Sequence, residues 1–186
     1  MRVRLSCVVL AMFLVPALAH ADGHKADLFG GITFGDGGST VTGVRQAVAF
    51  GTKVRWFDFV AADIDTRFGK HDGAALTQFA WHVAGGRFTL NPGARCTLFA
   101  QVIGGGVYTN DGTNTARKNG SGAFGFGVEY AFGERATNPP GQPPKPQPYL
   151  GLGFRVQYDY ITRAGAPENF SRVSAGFVYR IPKHLK

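Results

Sequence analysis

Two stretches in the C-terminal half alternate with a period of two. Residues 123–132 read AFGFGVEYAF, so Phe124, Phe126, Val128, Tyr130 and Phe132 alternate with Ala123, Gly125, Gly127, Glu129 and Ala131. Residues 150–160 read LGLGFRVQYDY, setting Leu150, Leu152, Phe154, Val156, Tyr158 and Tyr160 against Gly151, Gly153, Arg155, Gln157 and Asp159. This spacing sorts the residues onto opposite faces of a β-strand; a helix would mix them. One face is bulky and apolar, the other small with scattered charge.

Alternation does not say which face meets solvent, but volume does. A closed sheet of about eight strands has an interior only just wide enough for side chains. Five large side chains from each strand would not fit there, whereas Gly and Ala with an occasional Arg or Glu would. Charged residues make up 17% of the chain and glycines number 27, too little charge and too much glycine for a soluble exterior. The bulky faces, Phe124 to Phe132 and Leu152 to Tyr160, are therefore expected to meet lipid.

The N-terminus reads as a signal peptide over 1–21. Arg2 and Arg4 precede an apolar run over 5–15, which Pro16 breaks, and Ala19-His20-Ala21 forms an A-x-A cleavage site. Cleavage after Ala19 is a second alternative. The apolar run is too short to span a bilayer as a helix. Loss of Arg2 and Arg4 lowers the formal charge from +8 to +6. Nucleic acid and anionic lipid both attract such a charge; export argues against nucleic acid. Cys7 leaves with the signal, so Cys96 has no disulfide partner.

The rest of the chain, 22–186, divides into eight strands of one domain. They are expected at 26–34, 41–50, 54–64, 76–90, 96–109, 123–132, 150–160 and 170–181, separated by turn signals such as Asn91-Pro92-Gly93. The third has no clear facing, because Trp56 and Phe57 are adjacent; a bulge would explain that. Polar loops are expected at 65–75 and 110–122. An even count suits an all-β, eight-stranded antiparallel up-and-down transmembrane β-barrel, which leaves no edge in lipid. Long connections after strands one, three, five and seven would be extracellular and both termini periplasmic. The proline-rich connection 134–148, six of whose residues are proline, falls on the periplasmic side and reads as an extended spacer.

Four strings carry a family resemblance: GAFGFGVEY over 122–130, GFRVQYDY over 153–160, ENFSRVSAGFVYRI over 168–181 and DLFGGI over 27–32. Together they resemble the outer-membrane β-barrel family typified by the OmpA-like transmembrane domain, most closely over 95–181. The resemblance implies an outer-membrane monomer surrounded by lipid, with extracellular loops open to surface ligands. Two departures stand out. The last strand runs Tyr179-Arg180-Ile181 rather than ending on an aromatic residue. A periplasmic peptidoglycan-binding domain is not expected.

The candidate site is the lumen face, with Glu129, Arg155, Gln157, Asp159, Arg172 and Arg180, joined by Gln101 and His82. Buried charges must be paired or solvated, so these are expected to form a space-filling polar network, with Glu129 and Arg155 as a cross-strand pair. Arg67, Lys70, Arg117, Lys118 and Arg163 are expected in loops, as solvated charges or as contacts to lipid phosphate. No catalytic, metal or cofactor site is expected: there is no G-x-S-x-G, ligand cluster or phosphate loop. The function expected is structural or surface-interacting and non-enzymatic. A narrow pore, a soluble periplasmic lipocalin-like carrier and a lipid-modifying enzyme stand as alternatives.

Overall fold

The computed structural model describes residues 24–36, 41–52, 54, 56–71, 74–110, 117–135, 149–165 and 169–182. Eight strands run in chain order: β1 (His24–Asp36), β2 (Val41–Gly51), β3 (Phe57–His71), β4 (Ala74–Leu90), β5 (Cys96–Asn110), β6 (Arg117–Ala131), β7 (Gly151–Arg163) and β8 (Phe170–Pro182). Each pairs antiparallel with the next, and β8 closes on β1. Closure gives every strand a partner on both sides, so no row of backbone donors is left open.

The barrel is inside out relative to a soluble protein. Arg45 is 1% exposed and Phe126 56% exposed. The alternating faces of β6 and β7 lie as the sequence predicts, with Phe124, Phe126, Val128, Tyr130 and Phe132 outward on one and Leu152, Phe154, Val156 and Tyr160 outward on the other. Register joins them, Phe126 opposite Tyr158 and Val128 opposite Val156. The Phe126 and Tyr158 rings stand 5.3 Å apart.

The interior differs from the Gly and Ala filling expected. Phe29, Phe99, Ile103, Val107, Ile161, Phe170 and Val178 are also buried. The glycines make room for them. A Cβ on Gly127 would stand 2.5 Å from the Val156 carbonyl oxygen and 2.6 Å from the Phe99 ring. We predict that Gly127→Val destabilises the barrel by about 1–3 kcal/mol, the usual cost of overpacking. Urea unfolding measures this, and a loss well below that range would mean that Phe99 has free space to move into.

Two bulges break the inward parity. Val60 pairs with Ala49 and Ala62 with Val48, leaving Ala61 extra. On β4, His82 pairs with Gly105 and Ala84 with Gly104, leaving Val83 extra. Even-numbered Asp58 and Val60 are buried before the first bulge, and odd-numbered Asp63, Asp65 and Arg67 after it. The face change in the third strand thus falls at Ala61, while Trp56 lies ahead of β3.

Several expected boundaries are corrected. The loops expected at 65–75 and 110–122 are mostly strand, and only 72–73 and 111–116 separate the elements there. The physical reason is that a ladder satisfies backbone groups whatever the side chains are, so pairing continues through polar sequence. Loop length consequently does not distinguish the two ends as expected. The connection 132–150 remains the longest, and its base is paired: Arg135 bridges Tyr149, and the Leu150 amide donates to the Glu134 carbonyl at 2.9 Å. The remainder, 136–148, and the signal segment lie outside the described residues.

Candidate functional site

The inward faces of seven strands, all but β5, supply a charged interior arranged as two sets. The first contains Arg45 on β2, Asp63, Asp65 and Arg67 on β3, Asp159 on β7 and Arg172 on β8. Asp159 accepts hydrogen bonds from Arg45 at 2.8 Å and Arg172 at 2.9 Å. Arg45 also holds Asp63, with Nε 2.9 Å from Oδ1, and Arg172 reaches Asp63 and Asp65 at 3.2 Å each. Arg67 pairs with Asp65 at 2.9 Å. The Ser174 hydroxyl accepts from Arg45 at 3.0 Å, and the Thr33 hydroxyl donates to Asp65 at 2.9 Å.

The second set contains Asp27, Asp58, Arg87, Glu129, Arg155 and Arg180. Arg155 donates to Glu129 at 2.7 and 3.0 Å, the cross-strand pair that the sequence suggests. Arg180 grips the other oxygen of Glu129 at 2.6 Å. Arg87 bridges Asp27 and Asp58, the latter at 2.7 Å. Among the described residues each set balances three arginines against three carboxylates. The low dielectric of an interior demands that balance, since an unmatched charge there is costly.

The Phe29 ring meets both sets. The Phe29 ring has the Arg45 guanidinium on one side at 5.7 Å and Arg155 at 5.2 Å. Arg155 and Arg87 also lie over Phe99, at 5.1 and 5.7 Å. A void of about 10 Å³ remains at this junction, lined among others by Arg45, Arg87, Gln101 and Arg155. It holds roughly one water.

The structure places the sequence candidates as follows. Glu129, Arg155, Gln157, Asp159, Arg172 and Arg180 are all buried in the lumen, with Gln101 and His82. Gln157 and Gln101 donate to Asp159 at 2.7 and 3.3 Å. Arg67 is a correction: it is not a loop cation but a lumen residue, 2% exposed, with its guanidinium 4.3 Å over the Phe170 ring. The reason is the continuation of β3 past Ile64. Arg163 is half-buried near the same ring, at 5.5 Å. Lys70 and Lys118 are exposed, and Lys118 lies 5.5 Å over Trp81. The side chain of Arg117 lies outside the described residues.

Arg45, Asp27, Asp58, Asp63, Asp65 and Arg87 escape sequence reading. In β1 and β2 the signal was present as alternation, Asp27-Phe29-Gly31-Thr33 against Leu28-Gly30-Ile32-Phe34. In β3 and β4 the bulges reverse the parity. Ser121 was missed as well, because it fell in an expected loop; its hydroxyl lies 3.2 Å from His82 Nε2. Asp63 sits opposite His82 across the ladder, but its carboxylate is held by Arg45 and Arg172. His82 Nδ1 has no hydrogen-bond partner. Among the described residues, no carboxylate is hydrogen-bonded to the His82 imidazole.

A closed eight-stranded antiparallel barrel with an apolar exterior and an ionic, filled interior has the fold of outer-membrane β-barrel proteins. Two solved structures carry this comparison. Neisserial surface protein A aligns with a TM-score of 0.53 at 10% identity, over 86% of this chain and 98% of that one. The outer membrane protein Ail of Yersinia pestis, determined in a phospholipid bilayer nanodisc, aligns with a TM-score of 0.52 at 11% identity, over 86% of this chain and all of that one. No family model matches the chain, and no curated relative matches it.

Proposed function

We propose that this chain is a monomeric outer-membrane barrel with a structural or surface-interacting role, non-enzymatic and closed to bulk passage. One observation carries the reading: an apolar belt faces outward while two neutral ionic sets occupy the lumen. A soluble carrier would need a polar exterior and a ligand cavity, and the void between the ionic sets, about 10 Å³, is far smaller than an ordinary ligand pocket. Both termini emerge at one end, taken as periplasmic by analogy with barrels of this kind. Belt lipids are the expected neighbours. Lys70 and Lys118, exposed at the opposite rim, stand as solvated surface charges on this reading.

The test is a pair of measurements on the folded protein. Heat-modifiable migration after extraction from outer membranes is expected, together with no stable open channels in a planar bilayer. Arg155→Ala should lower the thermal transition, since Glu129 then retains Arg180 alone. Recovery from the soluble periplasm without detergent would end the membrane assignment. Discrete, reproducible conductance by the unaltered chain would replace the filled lumen with a pore.

A further inference from the structure

The two ends of the barrel differ in charge. At the end where both termini emerge, the connections 52–56, 91–95 and 132–150 and the segment 183–186 carry seven Lys and Arg against one carboxylate, Glu134. At the other end, 37–40, 72–73, 111–116 and 164–169 carry no Lys or Arg and three carboxylates. The strand-end cations Lys70, Arg117, Lys118 and Arg163 bring that second end close to neutral. Because the lumen sets cancel internally, the basic charge of the chain is concentrated at the termini end.

Two of those cations are held in place around one ring. The Arg95 and Arg135 guanidinium carbons lie 5.0 and 5.3 Å from the Tyr149 ring centroid. Arg135 also donates to the Gly93 carbonyl at 2.6 Å, which ties the β4–β5 turn to the base of the 132–150 connection. Arg95 adjoins β6, its carbonyl accepting from the Ala131 amide at 2.8 Å, and the next residue, Cys96, pairs with Tyr130. Tyr130 belongs to the outward face of β6, where its ring lies 5.5 Å from that of Phe132. The arginine pair therefore stands where the apolar belt ends, both members exposed.

We infer that this rim docks anionic phospholipid headgroups, with Arg95 and Arg135 as a phosphate-binding pair. The inference rests on the membrane-barrel reading above, and on that orientation the leaflet is the periplasmic one. The geometry favours lipid over a single acidic protein segment. Arg95 and Arg135 stand beside Tyr130 and Tyr149 at the margin of the outward apolar face, the level at which headgroups border hydrocarbon. Arginine suits the role because its planar donors match phosphate oxygens in pairs. Both guanidinium groups already gather at the one Tyr149 ring, which reduces the ordering that binding requires.

The test uses the full-length folded chain in nanodiscs, with lipid retention measured by native mass spectrometry. The lipids are phosphatidylglycerol and phosphatidylcholine in equal amounts, at low and at high salt. A preference for phosphatidylglycerol is expected that weakens as salt rises. The double variant R95Q/R135Q should lower that preference on the order of tenfold, from the typical worth of two surface cations beside anionic lipid. The control K70Q/K118Q, at the near-neutral end, should change it by no more than about twofold. Insertion without any phosphatidylglycerol preference would overturn the rim inference alone, as would equal losses in the two variants. Failure of the unaltered chain to insert at all would overturn the barrel reading and the inference with it.

Discussion

Asp159→Ala is expected to cost the folded barrel about 3–5 kcal/mol, the range for removing one partner from a buried ionic set. Asp159 is fully buried and accepts from four side chains: Arg45 at 2.8 Å, Arg172 at 2.9 Å, Gln157 at 2.7 Å and Gln101 at 3.3 Å. Its loss leaves three arginines against two carboxylates in a space without bulk water. It also orphans two amide donors, each of which then carries its own desolvation penalty. Removing one charge of each sign should be milder. Asp159→Ala combined with Arg172→Met restores neutrality and is expected to recover at least half of the loss, because replacing a buried pair by apolar groups is often close to neutral. Urea titration of the refolded protein in vesicles measures both variants. A single-variant loss of about 1 kcal/mol or less, as for exposed ion pairs, would show that the lumen is wet and the network ordinary.

The second large effect is expected on the outer face. Phe126 lies in the middle of β6, between Ala100 on β5 and Tyr158 on β7, with 56% of its surface exposed. In a membrane this position is near the hydrocarbon midplane, and Phe126→Arg is predicted to destabilise the inserted barrel by about 2–4 kcal/mol. Leu90→Arg, at the end of β4 and 62% exposed, should cost only about 0–1 kcal/mol. The depth dependence is the informative quantity, since the exposures of the two positions are alike. A barrel dissolved in water would show no such gradient and would gain solubility from either arginine. Equal costs at the two positions, measured by unfolding in vesicles of fixed thickness, would remove the case for a membrane belt.

Much of this architecture was legible in sequence, for a definite reason. Strand alternation is local: Phe124 and Gly125 differ in which way they point because consecutive residues of any strand do. The number of strands, their antiparallel succession and the outward choice for the bulky face followed from that period and from volume. Glu129 and Arg155 could be paired on the same basis, since both lie on inward faces of neighbouring strands. The boundaries at 65–75 and 110–122 were less legible. Asp65, Arg67 and Ser121 have loop-like side chains, yet their backbones pair because both neighbouring strands offer partners, and Asn119 pairs with β5.

The ionic interior was only partly legible. The candidates on β6, β7 and β8 follow from unbroken alternation. Asp58 and Asp63, or His82 and Arg87, differ in parity and share the lumen only because an extra residue stands between them, Ala61 in one strand and Val83 in the other. Neither alanine nor valine signals a bulge. Arg67 was assigned to a loop for the same reason that Ser121 was.

By itself the sequence determined the strand period, the bulky outward face and the alternating faces of β6 and β7, because those depend on the geometry of a single extended chain. Only the tertiary structure decided which charges meet. Asp159 and Arg45 are 114 residues apart in sequence and come within hydrogen-bonding distance because closure brings β2 and β7 to face each other across the lumen. Two bulges then set which acids turn inward, and the balance of three arginines with three carboxylates in each set exists only once the barrel has closed.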